Sequence, residues 1–94
     1  ILNYEDLGFC KKGEGARFIT EGRSALNGDM PVNTSGGLKC AGHPIGATGV
    51  RMTYQIYNQL LNRAGDMQVK NAELGLIHNL GGPGSVACVA IYGR

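Results

Sequence analysis

No run of about 18 consecutive apolar residues occurs, so no segment reads as a membrane-spanning helix. Charge is scarce. Asp, Glu, Lys and Arg make up 17% of the chain, against roughly 25% in ordinary soluble domains. The net charge of +2 is too small to argue for nucleic acid or an acidic membrane surface as partner. Cys10, Cys40 and Cys88 are odd in number and form no Cys-x-x-Cys pair. A disulfide framework is therefore not read, and a reducing, cytoplasmic compartment fits better. Cys40 and His43 stand three apart, but no second pair of ligands follows, so no metal site is expected. There is no internal repeat. Ile1-Leu2-Asn3-Tyr4 is neither a signal peptide nor an initiator Met, and Tyr92-Gly93-Arg94 is no peroxisomal tripeptide. Such a start fits a proteolytic piece or a part of a larger polypeptide.

Glycine is plentiful, at 16 of 94 residues. A chain of this length supports one small domain with a modest core. Few charges and much glycine imply that a large share of its surface is covered by something else. Residues 1–30 form a loop-rich lead-in, with a short helix over Tyr4 to Phe9 stopped at Gly8. Cys10 to Gly15 is turn-rich, Ala16 to Thr20 is a helical turn or a short extended piece, and Glu21 to Asp29 is a loop. Residues 31–94 carry the motifs. Pro31-Val32-Asn33 reads as extended and Thr34-Ser35-Gly36-Gly37 as a flexible turn.

The stretch Gly42-His43-Pro44-Ile45-Gly46-Ala47-Thr48-Gly49 organises the rest. Proline is favoured at the first position of a helix. The sequence therefore predicts His43 at an N-cap and a helix from Pro44 to about Arg63, ended by Gly65. An imidazole there meets the positive end of the helix dipole, which favours its neutral form, and a neutral imidazole can act as a base or polarise a carbonyl. The same residues would also serve as an ordinary His-Pro turn. Ile45, Met52, Ile56 and Leu60, widened by Val50, Tyr54, Tyr57 and Leu61, predict a largely buried helix.

Two strands follow, at about 74–79 and 86–92. The second is an almost unbroken apolar run, as in a strand covered on both faces. The link Leu80 to Ser85 is so short that the strands should be antiparallel neighbours. One helix and two strands cannot cover both faces of a sheet, so the expected fold is part of a layered α/β protein.

The glycine loops are not nucleotide sites. No Gly-Lys-Ser/Thr is present, and the spacing Gly42, Gly46, Gly49 is not the dinucleotide fingerprint. Instead, the His43 turn and the end of the first strand, His78-Asn79-Leu80-Gly81-Gly82, should share one edge of the sheet. Ligands bind at such edges. Histidine and asparagine supply donors there, and glycine N–H groups can stabilise an oxyanion.

Asn33-Thr34-Ser35-Gly36-Gly37, the Gly42 to Gly49 motif and His78-Asn79-Leu80-Gly81-Gly82, in that order, resemble the C-terminal part of a thiolase. The His-Asn-Leu-Gly ending resembles the sterol-carrier-protein-type and archaeal branch. The resemblance implies two similar halves layered αβαβα, and acyl transfer on coenzyme A through an acyl-cysteine. It implies coenzyme A as substrate or product with no other cofactor, a homo-oligomeric complete enzyme, and a nucleophilic cysteine on the N-terminal half. It makes His43 the residue that activates that cysteine and Gly81 an oxyanion donor. Gly42 and Gly82 would line the acyl-CoA site, with His78 and Asn79 as possible active-site residues. Asn79 aligns with the cysteine that carries protons in most thiolases, and asparagine cannot titrate. In the resembling branch an upstream His-Asp-Cys-Phe cysteine takes that part. Of the local thiols Cys40 is nearest to His43, yet none occupies a family position. Cys88, mid-strand, should be inert. The other reading is a non-catalytic thiolase-like module that binds coenzyme A or a partner enzyme.

Overall fold

Glycines in the left-handed region stop the first two helices. In the computed structural model, which describes all residues from Ile1 to Arg94, the chain forms two units, Ile1–Thr34 and Ser35–Arg94. Helix α1 spans Leu2–Asp6 and α2 spans Gly15–Thr20. Gly8, at φ 77°, lets Gly8 N–H reach the Glu5 carbonyl and Phe9 N–H the Tyr4 carbonyl. Gly22, at φ 74°, repeats the arrangement at the end of α2, with bonds to Ile19 and Phe18. This is the Schellman pattern, in which a residue free to take positive φ satisfies the last helical carbonyls.

The first unit is more ordered than its loop-rich sequence implies. Phe18 is 2% exposed. Tyr4 packs on it at 5.2 Å between ring centroids, and the Arg23 guanidinium lies over the Phe18 ring at 4.7 Å from its centroid. Asp29 fixes Arg23 through a bidentate pair, the shorter arm being 2.7 Å. Glu5 ties the turn-rich loop to α1, because its carboxylate accepts from Gly13 N–H and Gly15 N–H at 2.9 Å each.

In the second unit, α3 spans Gly37–Ala41, α4 spans Thr48–Leu60, a single 3₁₀ turn covers Gly65–Met67, and β1 (Leu74–Gly81) and β2 (Val86–Gly93) follow. The strands are antiparallel, with Leu74 opposite Gly93 and Gly81 opposite Val86. This mixed helix and antiparallel pair is the α/β unit expected. Both strands run a little further than expected. His78 and Asn79 consequently lie inside β1 rather than at its end.

Helix α4 differs from expectation at both ends. It begins at Thr48, with Ala47 as N-cap. Pro44 instead starts a turn whose carbonyl accepts from both Ala47 N–H and Thr48 N–H at 2.9 Å. His43 therefore stands four residues before the cap, outside the first turn over which the helix dipole acts. At the other end Asn62, at φ 55°, closes a Schellman pattern with bonds to Gln59 and Asn58. Asparagine tolerates this conformation better than most residues, so the helix stops before Gly65, which opens the 3₁₀ turn. Two glutamines bind that turn to the helix. Gln59 donates to the Met67 carbonyl at 2.7 Å and accepts from Val69 N–H, while Gln68 donates to the Gln59 carbonyl and accepts from Ala64 N–H.

Only one stripe of α4 is covered within the chain. A Cβ at Gly49 would stand 3.7 Å from Asn79 Nδ2, and one at Gly75 would collide with Ile56. Thr53 Oγ1 meets Tyr92 Oη at 3.3 Å. Gly49, Thr53, Ile56 and the buried Leu60 therefore form the face that packs on the strands, at the spacing of one helix stripe. The neighbouring stripe of Val50, Tyr54, Tyr57 and Leu61 is exposed, Val50 by 73%. The helix is thus not buried within these 94 residues. The same holds for β2, whose apolar run includes the exposed Val86, Val89 and Ile91.

Two outcomes follow from this packing, both read by denaturant unfolding of the complete protein. Gly75→Ala must displace Ile56 and should destabilise by ~1–3 kcal/mol. Gly49→Ala meets only ordinary contact and should be neutral or stabilise by up to ~1 kcal/mol. Equal effects would contradict the helix–strand contact. A third outcome concerns Glu5. Its two backbone donors, Gly13 first, hold its carboxyl below the usual 4.5. The charged form is thereby favoured in the fold, so the stabilisation is present at neutral pH and is lost as pH falls through the depressed value. The Gly13 and Gly15 amide signals should titrate together with a midpoint below 4.5, and an ordinary glutamate midpoint would contradict the bonds.

Candidate active site

The backbone before His43 needs glycine. Gly42, which caps α3, sits at φ 72° and ψ 178°, a region essentially reserved for glycine. From there the chain turns toward the first turn of α4. The His43 side chain crosses to it, with Nδ1 2.7 Å from Thr48 Oγ1. The Thr48 hydroxyl in turn donates to the Pro44 carbonyl at 3.1 Å. Thr48 is 2% exposed and His43 is exposed.

A hydroxyl has one proton and two acceptor sites, so the role of Nδ1 follows from where the Thr48 proton goes. When it goes to the Pro44 carbonyl, Oγ1 accepts from His43 Nδ1–H, and a neutral ring then carries its lone pair on Nε2, the nitrogen not bonded to Thr48. Such a nitrogen can take a proton from a thiol and return it.

A second anchor comes from one turn along the helix. Arg51 donates from Nη1 to the Ala41 carbonyl at 3.0 Å and from Nη2 to the Gly42 carbonyl at 2.9 Å. Helix α3 was not legible in the sequence. Gly36 and Gly37, read as a flexible turn, take φ 86° and 62° and lead directly into it. A Cβ at Gly36 would press on Cys40, whose side chain is otherwise exposed.

The residues of the Asn-Leu-Gly segment divide between faces. Successive strand residues point to opposite sides. Gly75 meets Ile56 and Asn79 approaches Gly49, so odd-numbered residues of β1 face α4. His78 shares the opposite face with Leu76 and Leu80, and across the pair with Val89. His78 therefore lies on the face of β1 turned away from α4, inside the strand that continues through Gly81. Asn79 does turn toward the helix. Because Gly75 lies by Ile56 and Asn79 by Gly49, β1 runs antiparallel to α4. Its hairpin end, with Gly81 and Gly82, extends past the helix N-terminus, the end that also carries His43. Gly82, at φ 57°, and Gly84, at φ 86°, make the turn, closed by Gly84 N–H to the Gly81 carbonyl at 3.2 Å.

Cys40 and Cys88 are exposed, and burial together with the charge of Glu5 pushes the half-buried Cys10 thiol up. Cys88 lies opposite Asn79 in the strand pair. No group of three His, Cys, Asp or Glu side chains gathers closely enough to hold a metal ion.

Comparison with known proteins agrees with this arrangement of motifs. The family described as thiolase C-terminal domain-like matches residues 1–94. The chain belongs to that family. It is 51% identical over 94 residues to an acetyl-CoA acetyltransferase of Methanothermobacter thermautotrophicus, covering 100% of this chain and 24% of the relative. It is 42% identical over 92 residues to human sterol carrier protein 2, covering 98% of this chain and 17% of that protein. A non-specific lipid-transfer protein-like 2 of Caenorhabditis elegans is 37% identical over 92 residues, with 98% and 22% covered. The chain thus spans about a quarter or less of the length of these relatives. The archaeal and sterol-carrier-protein relatives are the branch that the His-Asn-Leu-Gly ending resembles. No helix of this thiolase domain is long and apolar enough to cross a membrane.

Thr48 and Arg51 were missed as site residues. Thr48 sits among small residues that read as a helix opening, and Arg51 reads as a polar interruption of the apolar face. The signal available was their i, i+3 spacing, which places both on one side of α4.

Gly42 tests this geometry. Gly42→Ala forces a Cβ into a glycine-only conformation and should cost ~1–3 kcal/mol, seen as a lower unfolding midpoint of the complete protein. An unchanged midpoint would contradict the backbone turn that leads to His43.

Proposed function

We propose that this thiolase C-terminal domain belongs to an acyl-CoA C-acyltransferase that condenses or thiolytically cleaves acyl-CoA through an acyl-cysteine. The nucleophilic cysteine lies in the N-terminal half of the complete enzyme. In this reading His43 Nε2 takes the cysteine thiol proton, and the thiolate attacks the thioester carbonyl. The thioester oxygen becomes an oxyanion, and collapse expels the coenzyme A thiolate, to which the imidazolium returns the proton. The Gly81 N–H donates to an oxyanion, Gly42 and Gly82 border the acyl-CoA site, and Asn79 offers an amide from the helix side of β1. Coenzyme A is substrate or product, and no other cofactor takes part. The complete enzyme is a homo-oligomer in a reducing, cytoplasmic compartment, in keeping with three free cysteines.

The observation that carries this reading is the His43 to Thr48 bond. It holds the ring through Nδ1 and leaves Nε2 open at the end of the helix past which the Gly81–Gly82 turn extends. The archaeal relative's name, acetyl-CoA acetyltransferase, agrees with it. A second reading has one observation in its favour. Asn79 stands where most thiolases place a titrating cysteine, which fits a non-catalytic module that binds coenzyme A or a partner.

His43→Ala in the complete protein separates the two. General base catalysis contributes roughly 10²–10⁴-fold, so thiolysis measured by loss of the 3-ketoacyl-CoA substrate should fall by that much. Coenzyme A binding without measurable turnover in the unaltered protein would favour the module. Unaltered turnover in the variant would remove His43 from the mechanism.

A further inference from the structure

We propose that Arg51 is a positioning residue for His43, acting through the backbone of Ala41 and Gly42. The proposal rests on the reading of His43 as the base. The two carbonyls that Arg51 holds, at 3.0 and 2.9 Å, are the last of α3 and its cap, immediately before His43. Carbonyls at a helix end lack intrahelical donors and carry partial negative charge. A guanidinium satisfies two at once, in a fixed fork that an ammonium cannot reproduce.

The need for such a clamp comes from Gly42. With no Cβ, its backbone rotates freely, and its conformation sets the direction in which His43 leaves α3. Thr48 holds only the ring, through one bond at 2.7 Å. That bond forms only if the His43 Cα is already near the first turn of α4. Arg51, three residues after Thr48 on the same helix, supplies that placement. Helix α4 thus grips the ring with one side chain and the preceding backbone with the other. Misplacing a catalytic group by about 1 Å can cost on the order of 100-fold, so loss of the clamp should act on turnover.

The test is a double-mutant cycle in the complete enzyme, with Arg51→Gln and Arg51→Lys each made in the His43 and His43→Ala backgrounds. Coupling through one shared group appears as non-additivity. Arg51→Gln should lower kcat by roughly tenfold to a hundredfold with KM within about twofold. In the His43→Ala background it should change the residual rate by less than about twofold, because the group it positions is gone. Arg51→Lys should fall between wild type and Arg51→Gln. Unaltered kcat in Arg51→Gln, or an equal loss in both backgrounds, would overturn the proposal. If Arg51→Gln does not fold, Arg51→Lys decides: a loss confined to the His43 background supports the clamp, and wild-type kcat overturns it. A silent His43→Ala variant would instead defeat the catalytic reading itself.

Discussion

The Thr48 hydroxyl is the point where fold and site meet. It is buried at the start of α4, within hydrogen-bond reach of both the Pro44 carbonyl and His43 Nδ1. A buried hydroxyl left unpaired would cost ~1–3 kcal/mol, so the turn from Pro44 to Thr48 and the orientation of the imidazole satisfy one another. From Thr48 the chain is helix as far as Leu60, and the residues just before it form the turn that carries the histidine. The packing of α4 on β1 then sets which end of the strand the histidine shares.

That packing depends on a glycine at one end of the contact. Gly75 leaves room for Ile56, while at the other end the Asn79 amide lies at ordinary contact distance from Gly49. A side chain at Gly75 would wedge the strand away from the helix. The close antiparallel lay of β1 along α4 is therefore written in a residue that contributes no side chain. It also explains why Asn79, and not His78, faces the helix: the parity of the strand is fixed at Gly75, four residues earlier.

Much of the framework was legible because it rests on local rules. The strands showed as apolar runs around a Gly-Pro-Gly link, and their antiparallel pairing followed from its length. Gly8 ended α1 as expected. The failures came where side chains outside the helix period decided the backbone. The start of α4 was misplaced because Pro44 satisfies the rule for a first helical residue while its carbonyl serves a turn. Its end was misplaced because Asn62, a less common left-handed residue, acts before Gly65. Helix α3 is only five residues long, too short for periodicity to register. The burial expected of α4 and β2 failed for a different reason. The apolar stripe Val50, Tyr54, Tyr57 and Leu61 reads as core from sequence alone, and nothing in these 94 residues covers it. Contiguous exposed apolar surface of this kind marks an interface, and the chain spans only about a quarter of the length of its acetyltransferase relative.

The displacement of His43 from the helix cap has a chemical consequence. A histidine on the cap itself would direct a ring nitrogen at the first helical N–H groups, as capping side chains do. An N–H donor would then need a lone pair on that nitrogen, and the proton would sit on the other. Four residues further out, the ring meets a hydroxyl that also reaches the Pro44 carbonyl. When that hydroxyl gives its proton to Pro44, the polarity reverses: the nitrogen facing the protein carries the proton, and in the neutral ring the open one carries the lone pair. After protonation the ring keeps its bond to Thr48, because both nitrogens of an imidazolium are donors. One fixed hydrogen bond therefore serves both protonation states, and the histidine can cycle between them without turning its ring.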